Sequence, residues 1–193
     1  MLIHEKGPFV RGSILLISFL VLFCVLLTPI MRDEKGNHLT GLQYADNVFN
    51  ELSKGSSYFI PSVREHVKTV EKVNVKVTVT MKKAELAETA VQVLTKAGMT
   101  ASADGAKVSY EGNLAAMLNA ATTDADSLYH NDAATVSARY DGTHALKAAA
   151  AWWYVLSPSI KELQKQRLIA EAQVVDQVLR RAVEPGNNFY SVE

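Results

Sequence analysis

KVNVKVTVTM, residues 72–81, decides the fold that the sequence predicts, because apolar and polar residues alternate through it without interruption. Every second residue is apolar: four valines and then Met81. Successive side chains of a β-strand point to opposite faces of the sheet. The stretch therefore predicts a strand that buries one face and exposes the other.

The residues after this strand change to a helical period. From Lys83 to Ala97 the apolar residues share one stripe, and Gly98 follows as a terminator. Asp104-Gly105 then separates two short extended stretches, and this pair supplies the positive φ angles of a type I′ turn. A helix and a β-hairpin are predicted to follow the first strand.

A second helix and a fourth strand complete the predicted domain. Asn113 is placed to cap a helix whose apolar residues extend to Leu128, and residues 135–140 alternate again. The order β-α-β-β-α-β is that of the ferredoxin-like fold. We therefore predict an α+β protein in which residues 72–141 form a ferredoxin-like domain.

Near the N-terminus, residues 13–31 (SILLISFLVLFCVLLTPIM) contain no charged side chain. As a helix they would be about 28 Å long, close to the thickness of a membrane's hydrocarbon core. Lys6 and Arg11 precede the stretch as in a signal peptide, but no small-residue cleavage site follows it. We predict a retained single-pass transmembrane helix in the lipid bilayer, after a tail of residues 1–12 and before a helical stalk of residues 32–71.

The orientation of this span is not decided by charge, because basic residues lie on both sides of it. A short N-terminal side and a long C-terminal side favour export of the C-terminal part, since long domains translocate largely regardless of charge. We predict the inner (cytoplasmic) membrane as the location, with a periplasmic or otherwise extracytoplasmic C-terminal domain.

Residues 142–193 are predicted to form a C-terminal helical segment. One helix is expected from His144 to Leu156, with a break at Ser157-Pro158-Ser159, and a last helix ends at Val183 before a Pro-Gly-Asn-Asn sequence.

Three adjacent aromatic residues, Trp152, Trp153 and Tyr154, stand in the first of these helices. Packing on the domain core, contact with a partner protein and contact with the membrane interface are the three interpretations that remain open. In the last helix, the apolar residues recur at the a/d spacing of a coiled coil, over about two heptads, at Leu168, Ala172, Val175 and Leu179. These seven residues are the predicted partner-binding set, with packing inside the chain as the alternative for the a/d seam.

The sequence contains one group of polar residues that resembles a site: Asp124, Asp126, His130, Asp132, Asp141 and His144. A His/carboxylate metal or catalytic site is one interpretation. We favour the other, in which these residues cap helix ends or face solvent. The common phosphate-loop, dinucleotide, zinc-protease and nucleophile-elbow motifs are absent from the sequence. We therefore predict no catalytic residues, no cofactor and no metal.

Charge and cysteine content restrict the partners further. Twenty basic and twenty acidic residues give a net charge of zero, which argues against a nucleic-acid partner. Cys24 is the only cysteine, so this chain alone cannot build a zinc–thiolate or iron–sulfur site.

Together these features predict a non-enzymatic, single-pass structural or assembly subunit of a bacterial envelope or membrane protein complex. It is expected to dock on other membrane-complex proteins through its exported α/β domain and its C-terminal helices, or to bind a second copy of itself through those helices. In architecture alone, the predicted arrangement resembles the bitopic proteins of bacterial secretion and pilus machines. The alternative is a membrane-anchored ligand-binding or sensory module that binds its ligand on the sheet face or in a pocket at Trp152 and Trp153.

Overall fold

The computed structural model describes residues 6–33 and 36–192, which form a mixed α+β structure. These residues divide into two compact units, one that extends to Ser53 and one that comprises Lys54–Val192. Residues 1–5 of the predicted tail, residues 34–35 of the predicted stalk and Glu193 of the predicted C-terminal segment lie outside the described residues.

The first unit begins with α1 (Lys6–Leu27), a helix long and apolar enough to cross a membrane. At 1.5 Å per residue it is about 33 Å long. Helices with these properties occur both as membrane anchors and as signal sequences. The helix starts inside the predicted tail and ends four residues before the predicted end of the span. It ends there because Thr28 precedes Pro29, and a residue before proline is disfavoured in the helical conformation.

After α1, the chain makes a short hairpin and a second helix. Strands β1 (Met31–Arg32) and β2 (His38–Leu39) pair antiparallel, and α2 comprises Gly41–Ser56. A capping box fixes the start of α2. The Gln43 N–H donates to Thr40 Oγ1 at 3.2 Å, and the Thr40 N–H donates to Gln43 Oε1 at 2.9 Å.

The second unit contains three strands and most of the helices. In chain order these are α3 (Ile60–Lys68), β3 (Asn74–Thr80), α4 (Ala87–Lys96), β4 (Thr100–Asp104), β5 (Lys107–Asn113), α5 (Leu114–Tyr129), α6 (Ala133–Arg139), α7 (Ala145–Lys165), α8 (Ile169–Val178), a π-helical segment (Leu179–Val183) and α9 (Glu184–Asn188). Ile60, Val63 and Val67 of α3 are buried, so this helix, which the sequence assigns to a stalk, is part of the core.

The predicted first strand and its buried face are confirmed. In β3 the residues at 75, 77 and 79 are buried and their neighbours are exposed. The sheet has the order β3-β5-β4, and both pairs of strands are antiparallel. Val77 lies opposite Tyr110, so the apolar face of β3 continues onto the central strand.

The predicted hairpin is also confirmed, but its turn is different. Asp104 pairs with Lys107, so the two loop residues are Gly105 and Ala106. Gly105 has a φ of 57°, and Ala106 is not among the residues with positive φ. A positive φ at the first loop position alone is the pattern of a type II′ turn, not of the predicted type I′ turn.

The two predicted helices of the domain form as expected. Gly98, with a φ of 84°, ends the helical run of α4. The Asn113 side chain caps α5, since its Oδ1 accepts the Ala116 N–H at 2.9 Å. The predicted order β-α-β-β-α is therefore correct through residue 129.

The predicted fourth strand is wrong, because residues 133–139 form helix α6. Asn131, with a φ of 61°, ends α5, and Asp132 Oδ1 accepts the Thr135 N–H at 3.1 Å to cap α6 at once. The buried residues Val136 and Tyr140 lie four apart, which is helical spacing. Among the described residues this sheet has three strands. The four-stranded ferredoxin-like arrangement, and the resemblance to bitopic secretion and pilus proteins built on it, are therefore not found.

The predicted break at Ser157-Pro158-Ser159 is wrong as well, since α7 is continuous through Pro158. Proline removes one helical N–H, that of the bond to the Tyr154 carbonyl. Hydrogen bonds of the neighbouring Ser159 side chain stabilise the helix at this point. The Ser159 hydroxyl donates to the Val155 carbonyl at 2.6 Å and accepts the buried Tyr110 hydroxyl at 2.7 Å.

The predicted last helix is divided and extends further than expected. α7 ends at Lys165, and Arg167, with a φ of 64°, turns the chain into α8. The π-helical segment follows α8 directly, and the helical run continues through the Pro-Gly-Asn-Asn sequence as α9. Pro185 is tolerated because it lies in the first turn of α9.

Gly186 allows α9 to lie against α5. A Cβ atom on this residue would lie 2.5 Å from the Ala125 carbonyl oxygen and 2.9 Å from the Ala125 Cα. We expect Gly186→Ala to lower the free energy of unfolding by about 1–3 kcal/mol, because main-chain atoms cannot rotate out of the way. Thermal unfolding of the full chain in detergent, followed by circular dichroism, measures this.

The matched control is Gly55→Ala in α2, where no heavy atom lies within 4 Å of the new Cβ. A helical glycine-to-alanine change of this kind raises stability by about 0.5–1 kcal/mol. Equal losses from the two variants would contradict the close contact of α9 with α5.

The Tyr110–Ser159 hydrogen bond gives an asymmetric prediction. Ser159→Ala leaves the buried Tyr110 hydroxyl without its acceptor and is expected to cost about 1–3 kcal/mol of unfolding free energy. Tyr110→Phe leaves Ser159 bonded to Val155 and is expected to cost about 0.5–1.5 kcal/mol. Chemical denaturation of both variants checks the order, and the reverse order would refute it.

The same hydroxyl predicts an alkaline effect. Burial raises the pKa of Tyr110 to about 12. The pKa of Tyr110 in the folded protein thus lies above the ordinary value of about 10. The contribution of the Tyr110 hydroxyl to the stability of the fold is complete below pH 10. It is lost as the pH rises towards the folded pKa, because the tyrosine of the unfolded chain ionises first. The stability advantage of the wild-type protein over Tyr110→Phe is expected to vanish within that interval and then to reverse, because two pKa units correspond to about 2.7 kcal/mol. Chemical denaturation of both proteins over a series of alkaline pH values measures this.

Candidate functional site

Trp152, the first of the three adjacent aromatic residues, belongs to the core. Its side chain is 1% exposed, and its indole N–H donates to Asp124 Oδ2 at 2.7 Å. The Tyr140 hydroxyl donates to the same oxygen, and Arg139 forms an ion pair with Oδ1. Burial raises the pKa of Tyr140. Trp152 therefore satisfies a buried carboxylate and offers no surface to a partner in this structure.

The predicted a/d seam is also covered by the chain itself. Ala172, Val175 and Leu179 are buried in the core, and Leu168 is half-buried against it at the start of α8. The seam residues therefore pack inside the chain, which was the alternative to partner binding.

The predicted polar group is divided among separate local roles. Asp132 caps α6, and the hydrogen bonds from Thr135 lower the pKa of its carboxyl group. Asp141 pairs with the Lys96 ammonium at 3.0 Å, which lowers the pKa of Asp141. His144 stands at the N-cap position of α7 without a side-chain capping bond.

Two of the polar residues remain together at the end of α5. His130 Nδ1 lies 3.2 Å from Asp126 Oδ1, and the same carboxylate accepts the Tyr58 hydroxyl at 2.9 Å and Arg64 Nη2 at 3.3 Å. These contacts tie α3 to α5. Within residues 6–33 and 36–192, no three His, Cys, Asp or Glu side chains are grouped so that they could hold a metal ion.

Trp153 and Tyr154 lie in a different environment from Trp152. They are only partly buried, and they form one wall of a cleft of about 300 Å³ between α7 and the C-terminal end of the chain's helical run. The lining consists of small and aromatic residues of α7, the last residue of the π-helical segment and polar residues of α9: Ala149, Ala150, Trp153, Tyr154, Val183, Glu184, Asn187 and Asn188. This cleft is the candidate functional site.

The aromatic wall is fixed by specific contacts. The rings of Trp153 and Tyr154 meet edge to face, with centroids 5.0 Å apart and an interplanar angle of 80°. The Trp153 indole N–H donates to Glu184 Oε1 at 3.1 Å, which joins α7 to α9 across the cleft. Lys83 Nζ lies 5.6 Å from the centre of the Tyr154 ring, a cation–π contact.

The π-helical segment contributes one residue, Val183, to the lining of the cleft. Leu179, Ala182 and Val183 of this segment are all buried. Glu184, Asn187 and Asn188 of α9 follow it directly and also line the cleft. Segments of this kind occur frequently at functional sites.

The chemistry of the cleft is that of a binding surface. Its lining combines alanine, valine and aromatic side chains of α7 and the π-helical segment with one carboxylate and two side-chain amides of α9. The one carboxylate in the lining, Glu184, already accepts the Trp153 indole N–H. The cleft can therefore enclose an apolar group and accept hydrogen bonds from donors beside it.

Sequence reasoning identified the aromatic wall and missed the rim. Glu184, Asn187 and Asn188 fall in or beside a Pro-Gly-Asn-Asn sequence that is typical of a turn. The Glu184–Trp153 contact spans 31 residues and leaves no local pattern.

No protein-family model, no curated protein and no solved structure matches this chain.

Proposed function

We propose that the chain is a non-enzymatic, membrane-anchored assembly subunit that docks a partner protein of a bacterial envelope or membrane complex in the cleft between α7 and α9. The partner inserts an apolar or aromatic side chain between Trp153 and Val183. Donors next to that side chain bond the carboxylate and amides of the rim.

One observation carries this proposal: of three adjacent aromatic residues, the core uses Trp152, and the cleft uses Trp153 and Tyr154. Tryptophan and tyrosine are the residue types most enriched among those that dominate binding energy at protein interfaces. They are held here by an edge-to-face contact and by Glu184, so little rotamer freedom is lost on binding.

The size of the cleft favours a side chain over a larger ligand. Small-molecule sites typically have volumes of about 300–1,000 Å³. At about 300 Å³ this cleft lies at the lower limit and suits one anchoring side chain of a partner.

The membrane part of the proposal rests on α1. It is retained as a single-pass anchor in the inner (cytoplasmic) membrane, with the unit Lys54–Val192 on the extracytoplasmic side. The support is the length and apolar character of the helix, the charged residues that follow it and the length of chain beyond it.

A second candidate is a membrane-anchored ligand-binding or sensory module. The observation in its favour is the same concave aromatic cleft, with hydrogen-bond acceptors on one side. Its ligand would be a compact apolar molecule with N–H or O–H donors.

The docking proposal predicts that filling the cleft abolishes partner binding. Ala150→Leu enlarges the side chain of a half-buried residue that lines the cleft and removes no buried core residue. We expect it to release the partner with an affinity loss of roughly 30-fold or more, equivalent to about 2 kcal/mol at an interface centre. The full-length protein carries a C-terminal tag, and the partner recovered from mild detergent is identified and quantified by mass spectrometry.

Ala170→Leu, at an exposed position of α8, is the matched control and is expected to retain the partner. Thermal unfolding should give both variants the same midpoint as the wild-type protein. If Ala150→Leu still co-purifies with the full amount of partner, the cleft is not the docking site. If the wild-type protein instead carries a small molecule that Ala150→Leu lacks in native mass spectrometry, the second candidate is correct.

A further inference from the structure

Helix α2 carries an apolar stripe that no described residue of its own unit covers. Leu42 is 55% exposed, Phe49 is 68% exposed and Leu52 is 65% exposed. With half-buried Ala45, they recur at intervals of three, four and three residues. This is the a/d spacing of helices that pair as a coiled coil. A contiguous stripe of exposed large apolar side chains on a helix marks an interaction surface.

The residues beside the stripe permit a second copy of the same helix. In a parallel pair the g position of one helix faces the following e position of the other. These contacts are Gly41 with Asp46 and Val48 with Ser53. Of the four residues only Asp46 is charged, so no like charges meet across the seam.

The start of α2 is held against the end of α1. Gly41 is buried, and a Cβ atom there would lie 2.9 Å from Leu26 Cδ2. When α1 is anchored in a membrane, copies of the chain share one orientation and are confined to one surface. Parallel pairing of α2 then occurs at a high effective concentration. This step rests on the anchoring of α1 in the proposed function.

A lipid surface fits the polar part of α2 less well. Helices that lie in the membrane interface are rich in lysine and arginine on their polar side. Residues 41–56 contain two acidic residues, Asp46 and Glu51, and one basic residue, Lys54. The net charge of the helix is therefore negative, which opposes binding to anionic lipids.

We propose that two copies of this chain associate through a parallel α2 pair, with Leu42, Ala45, Phe49 and Leu52 at the seam. The contact lies in the first unit and is separate from the cleft between α7 and α9. It makes the anchored chain a dimer that presents two clefts to its partners.

Disulfide cross-linking of the full chain tests this proposal. In a Cys24→Ser background, Ala45→Cys introduces a thiol at a d position and Asn47→Cys introduces one on the opposite side of α2. Each protein is reconstituted at low density in vesicles of phosphatidylethanolamine and phosphatidylglycerol and then oxidised. A d residue faces its own counterpart only in a parallel, in-register pair. We expect Ala45→Cys to cross-link about tenfold faster than Asn47→Cys, because only the seam brings Cβ atoms towards the roughly 4 Å separation of a disulfide.

A double variant keeps the test independent of random collision. Adding Phe49→Asp to Ala45→Cys is expected to reduce cross-linking to the rate of Asn47→Cys, since it places like charges at facing a positions. Equal rates for Ala45→Cys and Asn47→Cys would overturn the proposal. Slow cross-linking at both positions would overturn it as well. In that case, protection of the Ala45→Cys thiol from a membrane-impermeant maleimide would identify lipid as the occupant of the stripe. Extraction of the membranes at alkaline pH reports separately whether α1 is an anchor.

Discussion

The second unit is organised around the buried carboxylate of Asp124. A charge removed from water costs several kcal/mol unless it is paired and hydrogen-bonded. Here the indole of Trp152, the hydroxyl of Tyr140 and the guanidinium of Arg139 all reach it. Removing one partner of such a group typically costs about 3–5 kcal/mol. Helix α5, the C-terminal end of α6 and helix α7 must therefore meet at this carboxylate.

This constraint also determines the cleft. Successive helical residues are about 100° apart, so a helix that turns Trp152 inward must direct Trp153 and Tyr154 elsewhere. Trp153 reaches α9 through Glu184, and α9 is held against Ala125, the residue next to Asp124. Two adjacent residues of α5 thus fix both sides of the candidate site. The side chain of Asp124 holds α7, and the main chain of Ala125 lies against α9.

The parts of the fold that could be predicted are those with local causes. Alternation over ten residues identified β3, and Asn113 identified the start of α5. The stretch 135–140 was misread because six residues with alternating polarity fit a strand and a helix equally well. Asp132 was interpreted only as one of several residues that cap helix ends or face solvent, whereas it caps the helix that replaces the predicted strand. The arginine that must approach Asp124 requires that second helix, and a contact between distant residues leaves no periodic signal.

The same reasoning explains why the binding residues were only partly identified. An a/d pattern shows which side of a helix is apolar, but it does not show what covers that side. The seam of α8 is covered by the chain's own helices, so Val175 and Leu179 serve the core. The similar seam of α2 has no cover within its own unit, and Phe49 and Leu52 remain exposed. Two equivalent patterns therefore have opposite roles, because only one of them lies in a part of the chain with enough neighbouring helices to bury it.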